Sequence, residues 1–301
     1  MKDFTICVLF YGNYPALARR CLDSIKNGIR MDAVLDIRIG LNEPCKETAE
    51  YVFDTAKDLD TTVSIWTCPT NAYKYPLMRR MFYGHHEPAK YLMWFDDDSY
   101  LTTIDPLWID RVRNAIEPVD MIGQNGWHME MVNDQWYWII KQPWYNPAAG
   151  YPMTMVRRTE SDPYGRMQER PSFVFCQGAW WVAKRDMLFK HDWPWPELKH
   201  NGGDSMLGEM IRQQGYKTAY FDEGVRINAD AFGHHSKSPR RGYSEKRLGY
   251  YGHNSNPDLR HQDFTFYLAT FIKAQDAITA STSGCDSLSG GETDPDSNNK
   301  A

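Results

Sequence analysis

Strand-like and helix-like segments alternate four times within the first hundred residues, and few folds accept that pattern. "FTICVLFYG" (4–12) is apolar and partly β-branched up to a glycine, as a central strand buried on both faces should be. "YPALARRCLDSIKNG" follows with Pro15 suited to a first helical turn, apolar residues at helical spacing, and Gly28 suited to the end. "LDIRIGLN" (35–42) and "TVSIWTCP" (62–69) predict two more strands, separated by the helix "CKETAEYVFDTAKDL". The helical piece "YPLMRRMFY" leads to a fourth strand in "YLMWFDDDSYL" (91–101). Such alternation predicts a mostly parallel sheet covered by helices, and ligands of such sheets bind at the carboxyl ends of the strands.

The fourth strand ends in three consecutive aspartates, Asp96, Asp97 and Asp98. Adjacent carboxylates repel, so fold stability alone gives no reason for them. Hard divalent cations take oxygen ligands, and Mg²⁺ commonly combines one or two carboxylates with substrate phosphates. A strand-end Asp-x-Asp therefore suggests a cation that also holds a diphosphate. The competing reading is a helix N-cap, because Asp-Ser precedes "LTTIDPLW".

The second half is less regular. "VDMIGQN" (119–125) predicts a strand, and residues 126–170 are rich in Trp, Tyr, Pro and Gly without clear periodicity. "SFVFCQGAWWVA" (172–183) predicts strand, glycine break, strand. "GDSMLGEMIRQQG" (203–215) predicts an amphipathic helix, "KTAYFDEGVRIN" a late strand, and "FTFYLATFIKAQ" (264–275) a last helix. From about Ser281 the Ser/Gly/Asp/Asn-rich chain is expected to be disordered. The expected organisation is one domain over 1–275, with a donor half (1–118), an acceptor half (119–275) and a disordered tail (276–301).

Net charge is −5, so no global basic field advertises nucleic acid. The six cysteines are scattered without a CxxC pair and read as free thiols in a reducing compartment. The N-terminal apolar run is too short for a signal peptide, and no stretch approaches a membrane span. A cytoplasmic location is the expectation. The aromatic content, 14% with 11 Trp and 18 Tyr, fits a packed core or a surface that stacks on sugars or bases.

The ordered set "FTICVLFYGNYPALARRCLDSI", "YLMWFDDDSYL", "CQGAWWVAKRDML", "GGDSMLGEMIRQQGYK" and "FGHHS" resembles the GT-A fold glycosyltransferases, in the style of the family-2-like inverting group, over about residues 1–235. The resemblance implies a Rossmann-like α/β fold and transfer of a hexose from a nucleotide-diphosphate sugar, UDP-hexose by family frequency, with Mn²⁺ or Mg²⁺. It makes Asp98 the direct metal ligand and puts Asp96 nearer the ribose or a metal-bound water, with Asp97 in the same motif. His234 or His235 would supply a further metal ligand; a pair of surface histidines is the other reading. Asp204, after two glycines at a helix start, would be the general base or merely an N-cap, with Glu209 in reserve. Gly178 would admit the acceptor, and at most one of Trp180 and Trp181, which point opposite ways along a strand, would stack on a sugar, the other lying in the core.

For the nucleotide, Tyr11 and Asn13 are base and ribose candidates, and Asn42 or Glu43 could bond a base where the family usually carries an Asp-rich segment. Lys74, Arg79 and Arg80 could pair with the diphosphate or form a solvated helix face. Arg240 and Arg241 in "SKSPRRGYSEKR" could close over it, or sit in a solvated loop. The Gln-x-x-Arg-Trp signature of processive synthases is absent. The acceptor could be a glycan, a lipid-linked sugar or a hydroxymethylated DNA base. Competing readings are a nucleotidyltransferase, a metal-dependent phosphohydrolase and a non-catalytic carbohydrate-binding protein. The first wants a glycine-rich phosphate loop after strand one, which "FYGNYPALARR" lacks.

Overall fold

The computed structural model describes residues 2–84, 86–128, 139–149, 156–161, 167–199, 203–227 and 264–272. The predicted alternation is present. Strands β1 (Phe4–Tyr11), β2 (Val34–Asn42), β3 (Thr62–Cys68) and β4 (Tyr91–Asp96) alternate with helices α1 (Pro15–Gly28), α2 (Lys46–Asp58) and α3 (Lys74–Tyr83). A short β5 (Ser99–Leu101) and α4 (Trp108–Ile116) precede β6 (Met121–His128), β7 (Val156–Ser161) and the long β8 (Met167–Lys184). Helices α5 (Arg185–Lys190) and α6 (Gly203–Gln213) follow, then β9 (Thr218–Tyr220), β10 (Val225–Ile227) and β11 (Tyr267–Phe271).

The main sheet runs β11-β3-β2-β1-β4-β8-β6-β9, with β7 paired to β8. Strands β3, β2, β1 and β4 are mutually parallel, whereas β8 is antiparallel to both β4 and β6. The sheet and its flanking helices make a Rossmann-like fold, as the resemblance implied. Alternation along the strands builds two cores. Phe4, Ile6, Val8 and Phe10 of β1 pack with residues of α1, α2 and α4, while Cys7 and Leu9 pack with α3, α5 and α6.

Three expectations are corrected. "FTFYLATFIKAQ" forms the edge strand β11, antiparallel to β3, not a helix. Phe264, Phe266, Ala269 and Phe271 are half-buried between more exposed residues, so much of the segment alternates with period two, and its aromatic and β-branched content suits a pleated edge. The glycine in "SFVFCQGAWWVA" does not end a strand; β8 continues through it, and the β6–β8 register shifts between Gly123 and Asn125 opposite it. The late strand is two strands, β9 and β10, parted by a turn in which Gly224 has φ +72°. Five cysteines, Cys7, Cys21, Cys45, Cys68 and Cys176, are free thiols. Among the described residues no helix is long and apolar enough to cross a membrane. The expected tail lies outside the described residues.

One buried ion pair anchors the end of the sheet opposite the carboxyl edge. Asp36 and Arg38 of β2 are both fully buried, with Nε to Oδ2 at 2.6 Å. Arg38 also donates to the carbonyls of Met81, Phe82 and His86, which holds the crossover from α3 to β4. Thr5 donates to Asp36 and accepts from the Ala89 amide. Burial alone would raise the Asp36 pKa, but His86, Arg38 and Thr5 together hold it below the usual carboxylate value. Removing one member leaves a buried charge uncompensated. Arg38→Met is therefore expected to destabilise the protein by about 3–5 kcal/mol at neutral pH in urea denaturation. Because the folded Asp36 pKa lies below its ordinary 3.8, its contribution is complete above that value, and the deficit of the variant should shrink as pH falls below it.

Candidate active site

In this strand order the chain leaves β1 toward β2 on one side and reaches β4 on the other. The crevice between the carboxyl ends of β1 and β4 is thus the topological switch point. Tyr11 ends β1 and Asp96 ends β4. Asp97 and Asp98 are the two turn residues between β4 and β5, each only 3% exposed. The turn is pinned from both sides. The Ser99 hydroxyl donates to the Ala179 carbonyl at 2.8 Å, and the Leu101 amide donates to the Ser24 hydroxyl of α1 at 3.0 Å.

Strand alternation separates the carboxylates. Asp96 shares the face of Leu92 and Trp94, toward α3 and α6, and its Oδ1 accepts from the Trp94 indole at 2.9 Å. On the α1 side, burial pushes the Cys21 thiol pKa well up, and the fields of Asp97, Asp98 and Asp96 add to it in that order. The negative potential of the turn therefore extends across the sheet.

A single glycine gathers the remaining groups. The Gly178 amide, in mid-β8, donates to Asp204 Oδ2 at 3.3 Å, and its carbonyl accepts from Lys74 Nζ at 2.6 Å. The same ammonium lies 2.8 Å from Asp96 Oδ2. A Cβ at Gly178 would stand 3.2 Å from Lys74 Nζ and 3.4 Å from Asp204 Oδ2, a tight fit that a larger residue would meet only by displacing the lysine end. Asp204 lies in the first turn of α6, and its Oδ1 accepts from the Ser205 amide. Each carboxylate oxygen can accept more than one bond, so both retain capacity for a further donor. Tyr75, one residue beyond Lys74, is buried against the same helix start and bonds the backbone of Asp204 and Gly203. Its phenol pKa is pushed well up by burial and by the charges of Asp204 and Asp96.

Other sequence candidates go elsewhere. Trp180 and Trp181 face opposite ways as expected, yet both are core, at 0% and 1% exposure. Trp180 packs with Phe95, Trp108 and Phe221; Trp181 packs with Trp94, Phe82 and Trp193. Neither presents a ring to a ligand, because β8 is central and covered on both faces. Glu209 is fully buried and held by Arg212 and Gln213, which makes it a structural anchor rather than a base. Arg79 reaches the turn of Asp192 and Pro194, and Arg80 lies over the Phe266 ring. His234, His235, Arg240 and Arg241 lie outside the described residues.

The nucleotide end of the crevice is a braced loop. Asn42 is buried, donating to Asn71 and accepting from the Ala72 amide, so its amide supports the loop after β3. Asn71 in turn donates to the Tyr11 hydroxyl at 3.3 Å. Asn13 and Glu43 are exposed beside it. Glu43 and Tyr73 adopt φ of +50° and +63°, strain that collects at functional edges. Asn71 and Tyr75 were not singled out from sequence, where the turn-rich "TNAYKYP" was the available signal.

The donor set suits a hard divalent cation. Asp96 closes β4 and Asp98 lies in the turn that follows, and among the described residues no group of three His, Cys, Asp or Glu side chains is placed to hold a metal ion. Mg²⁺ commonly combines one or two carboxylates with phosphate oxygens, so these oxygen donors fit its chemistry without forming a closed cage.

No family model matches the sequence, and no curated protein matches it. Remote structural similarity is found to S. aureus TarS residues 1–349, at 10% identity and TM-score 0.43, covering 73% of this chain and 58% of that one. A second is the mannosyltransferase PcManGT of Pyrobaculum calidifontis, in complex with GDP-Man and Mn²⁺, at 14% identity and TM-score 0.48, covering 84% and 68%. A third is 4-diphosphocytidyl-2C-methyl-D-erythritol synthase of Anaerococcus prevotii, at 9% and 0.44, covering 75% and 93%. The chain thus spans little more than half of the TarS fragment. The fold class rests on the strand order above, not on these likenesses.

Close contact at the start of α6 yields a prediction. A Cβ at Gly203 would lie 2.3 Å from Tyr75 Cζ. Gly203→Ala should destabilise by about 1–3 kcal/mol in chemical denaturation. The penalty should largely vanish in a Tyr75→Leu background, as a double-mutant cycle would show; an equal penalty in both backgrounds would place the strain elsewhere.

Proposed function

We propose that this chain is a metal-dependent, inverting glycosyltransferase that moves a hexose from a nucleotide-diphosphate sugar, UDP-linked in the first instance, to a hydroxyl acceptor. The observation that carries the reading is the junction at Gly178, which sets the strand-end aspartates and the helix-start Asp204 on either side of one crevice. The first is where a diphosphate would be held, the second where a hydroxyl would be deprotonated.

Asp98, with Asp96, would hold Mn²⁺ or Mg²⁺ together with the donor diphosphate. A divalent cation there neutralises charge on the leaving group. Tyr11, Asn13 and the Asn42–Asn71 loop would border the base and ribose. Asp204 would accept the proton as the acceptor oxygen bonds the anomeric carbon and the bond from that carbon to the diphosphate breaks. Attack opposite the leaving group inverts the anomeric centre. Gly178 would leave room for the acceptor. Burial of the turn and of Tyr75 favours a dry site, which matters because donor hydrolysis is the competing reaction.

The nucleotidyltransferase alternative wants a phosphate cradle after β1, but β1 passes through Gly12, Asn13 and Tyr14 directly into α1. The test is a panel of nucleotide sugars, with and without Mn²⁺, against glycans, lipid-linked sugars and hydroxymethylated DNA. Asp98→Asn and Asp204→Asn should each lower kcat/KM by roughly 10²–10⁴. Asp204→Asn should retain donor binding in calorimetry, whereas Asp98→Asn should lose its Mn²⁺ dependence. No turnover and no binding of any nucleotide sugar would overturn the proposal.

A further inference from the structure

Lys74 is placed where the aspartates need a counter-charge. Its ammonium is the first residue of α3 reaching back into the crevice, and it is largely enclosed, at 13% side-chain exposure against 20% for Asp96. It touches Asp96 Oδ2 at 2.8 Å and the Gly178 carbonyl at 2.6 Å, and lies 5.4 Å from the Trp94 ring centroid. All three neighbours favour a cation at this point. A divalent ion bound through the same Asp96 carboxylate would face this ammonium at a few ångströms, and like charges so close repel strongly in a half-buried site. Ammonium and metal therefore compete for Asp96.

We propose that Lys74 is an exchangeable resident counter-ion: it neutralises Asp96 when no metal is bound and must leave that carboxylate when a divalent cation enters. Because the same ammonium holds the Gly178 carbonyl, its departure frees the backbone that also carries the amide bonded to Asp204. Cation entry at the strand end is thus coupled to loosening of the junction where the acceptor would lie. Lys74 acts here as a positioning residue, not a reacting group. The inference rests on reading the aspartates as a divalent-cation site.

The test is the affinity for Mn²⁺ alone, without nucleotide, measured by calorimetry or by the free-Mn²⁺ paramagnetic resonance signal. Lys74→Gln removes the competing charge and retains a donor for Gly178. It should bind Mn²⁺ about ten-fold tighter than wild type, since one repulsive contact of this kind is worth about one pK unit. Lys74→Arg keeps the charge and should stay within about two-fold of wild type. Equal or weaker Mn²⁺ binding by Lys74→Gln overturns the inference, as does an equal gain in Lys74→Arg. If Lys74→Gln does not fold, lysine Nζ resonances of the wild type decide. Mg²⁺ titration should shift the Lys74 signal, and an unmoved signal overturns the inference. Failure of wild type and variant alike to bind Mn²⁺ would also remove the metal reading under "Proposed function", whereas equal binding by both removes only the role of Lys74.

Discussion

The antiparallel pairing of β4 with β8 is the contact on which the site depends. It runs from Tyr91 opposite Lys184 to Phe95 opposite Trp180, and so carries Gly178 to the end of β4. Each half of the molecule then needs the other. Without β8 the aspartate turn would lose the Ala179 carbonyl that fixes Ser99. Without the parallel half the Gly178 carbonyl of β8 would lose the Lys74 ammonium it accepts from. The flanking Trp180 and Trp181 make the pairing rigid by filling both cores, which explains why neither is spare for a ligand. A central strand cannot offer a ring to solvent on either face, however aromatic it is.

The two charged systems on the sheet illustrate different uses of burial. Asp36 and Arg38 are saturated with partners and hold a crossover in place. At the opposite end, Lys74 and Asp96 are largely but not fully enclosed, with Asp96 also accepting from Trp94 and Lys74 also bonding Gly178. A fully buried pair resists exchange, whereas a pair with some exposure at the carboxyl edge can give way to a ligand. Polar bracing continues around the carboxyl edge through Asn42, Asn71 and Tyr11, while Glu43 and Tyr73 hold strained backbone there.

Much of the parallel half was legible in the sequence because its signals are local. Apolar runs bounded by Gly12 and Cys68, a proline at Pro15 and a strand that stops at three aspartates each report on a few residues. The junction was only partly legible. Gly178, Lys74, Asp96 and Asp204 could each be nominated, but their meeting depends on β8 inserting beside β4, a pairing between residues about 85 apart. The same non-local dependence misled elsewhere. At most one of Trp180 and Trp181 read as ligand-facing, and with both faces of β8 covered neither is. "FTFYLATFIKAQ" read as a helix from its apolar density, whereas its aromatic and β-branched content suits the strand that the open edge of β3 accepts. Glu209 was different: Arg212 and Gln213 stand three and four residues on in the same predicted helix, a local signal, left unused, of the bonds that hold it.

The central claim is that the β4 turn, mid-β8 and the start of α6 form one cation-and-diphosphate site. Paramagnetic broadening by Mn²⁺ in the presence of UDP, mapped over the backbone amides, tests it most directly. The account predicts that broadening centres on Asp96 to Ser99 and extends to Gly178 and Asp204, sparing the Asp36–Arg38 end of the sheet. Broadening centred elsewhere, or confined to the aspartate turn with Gly178 and Asp204 untouched, would contradict it.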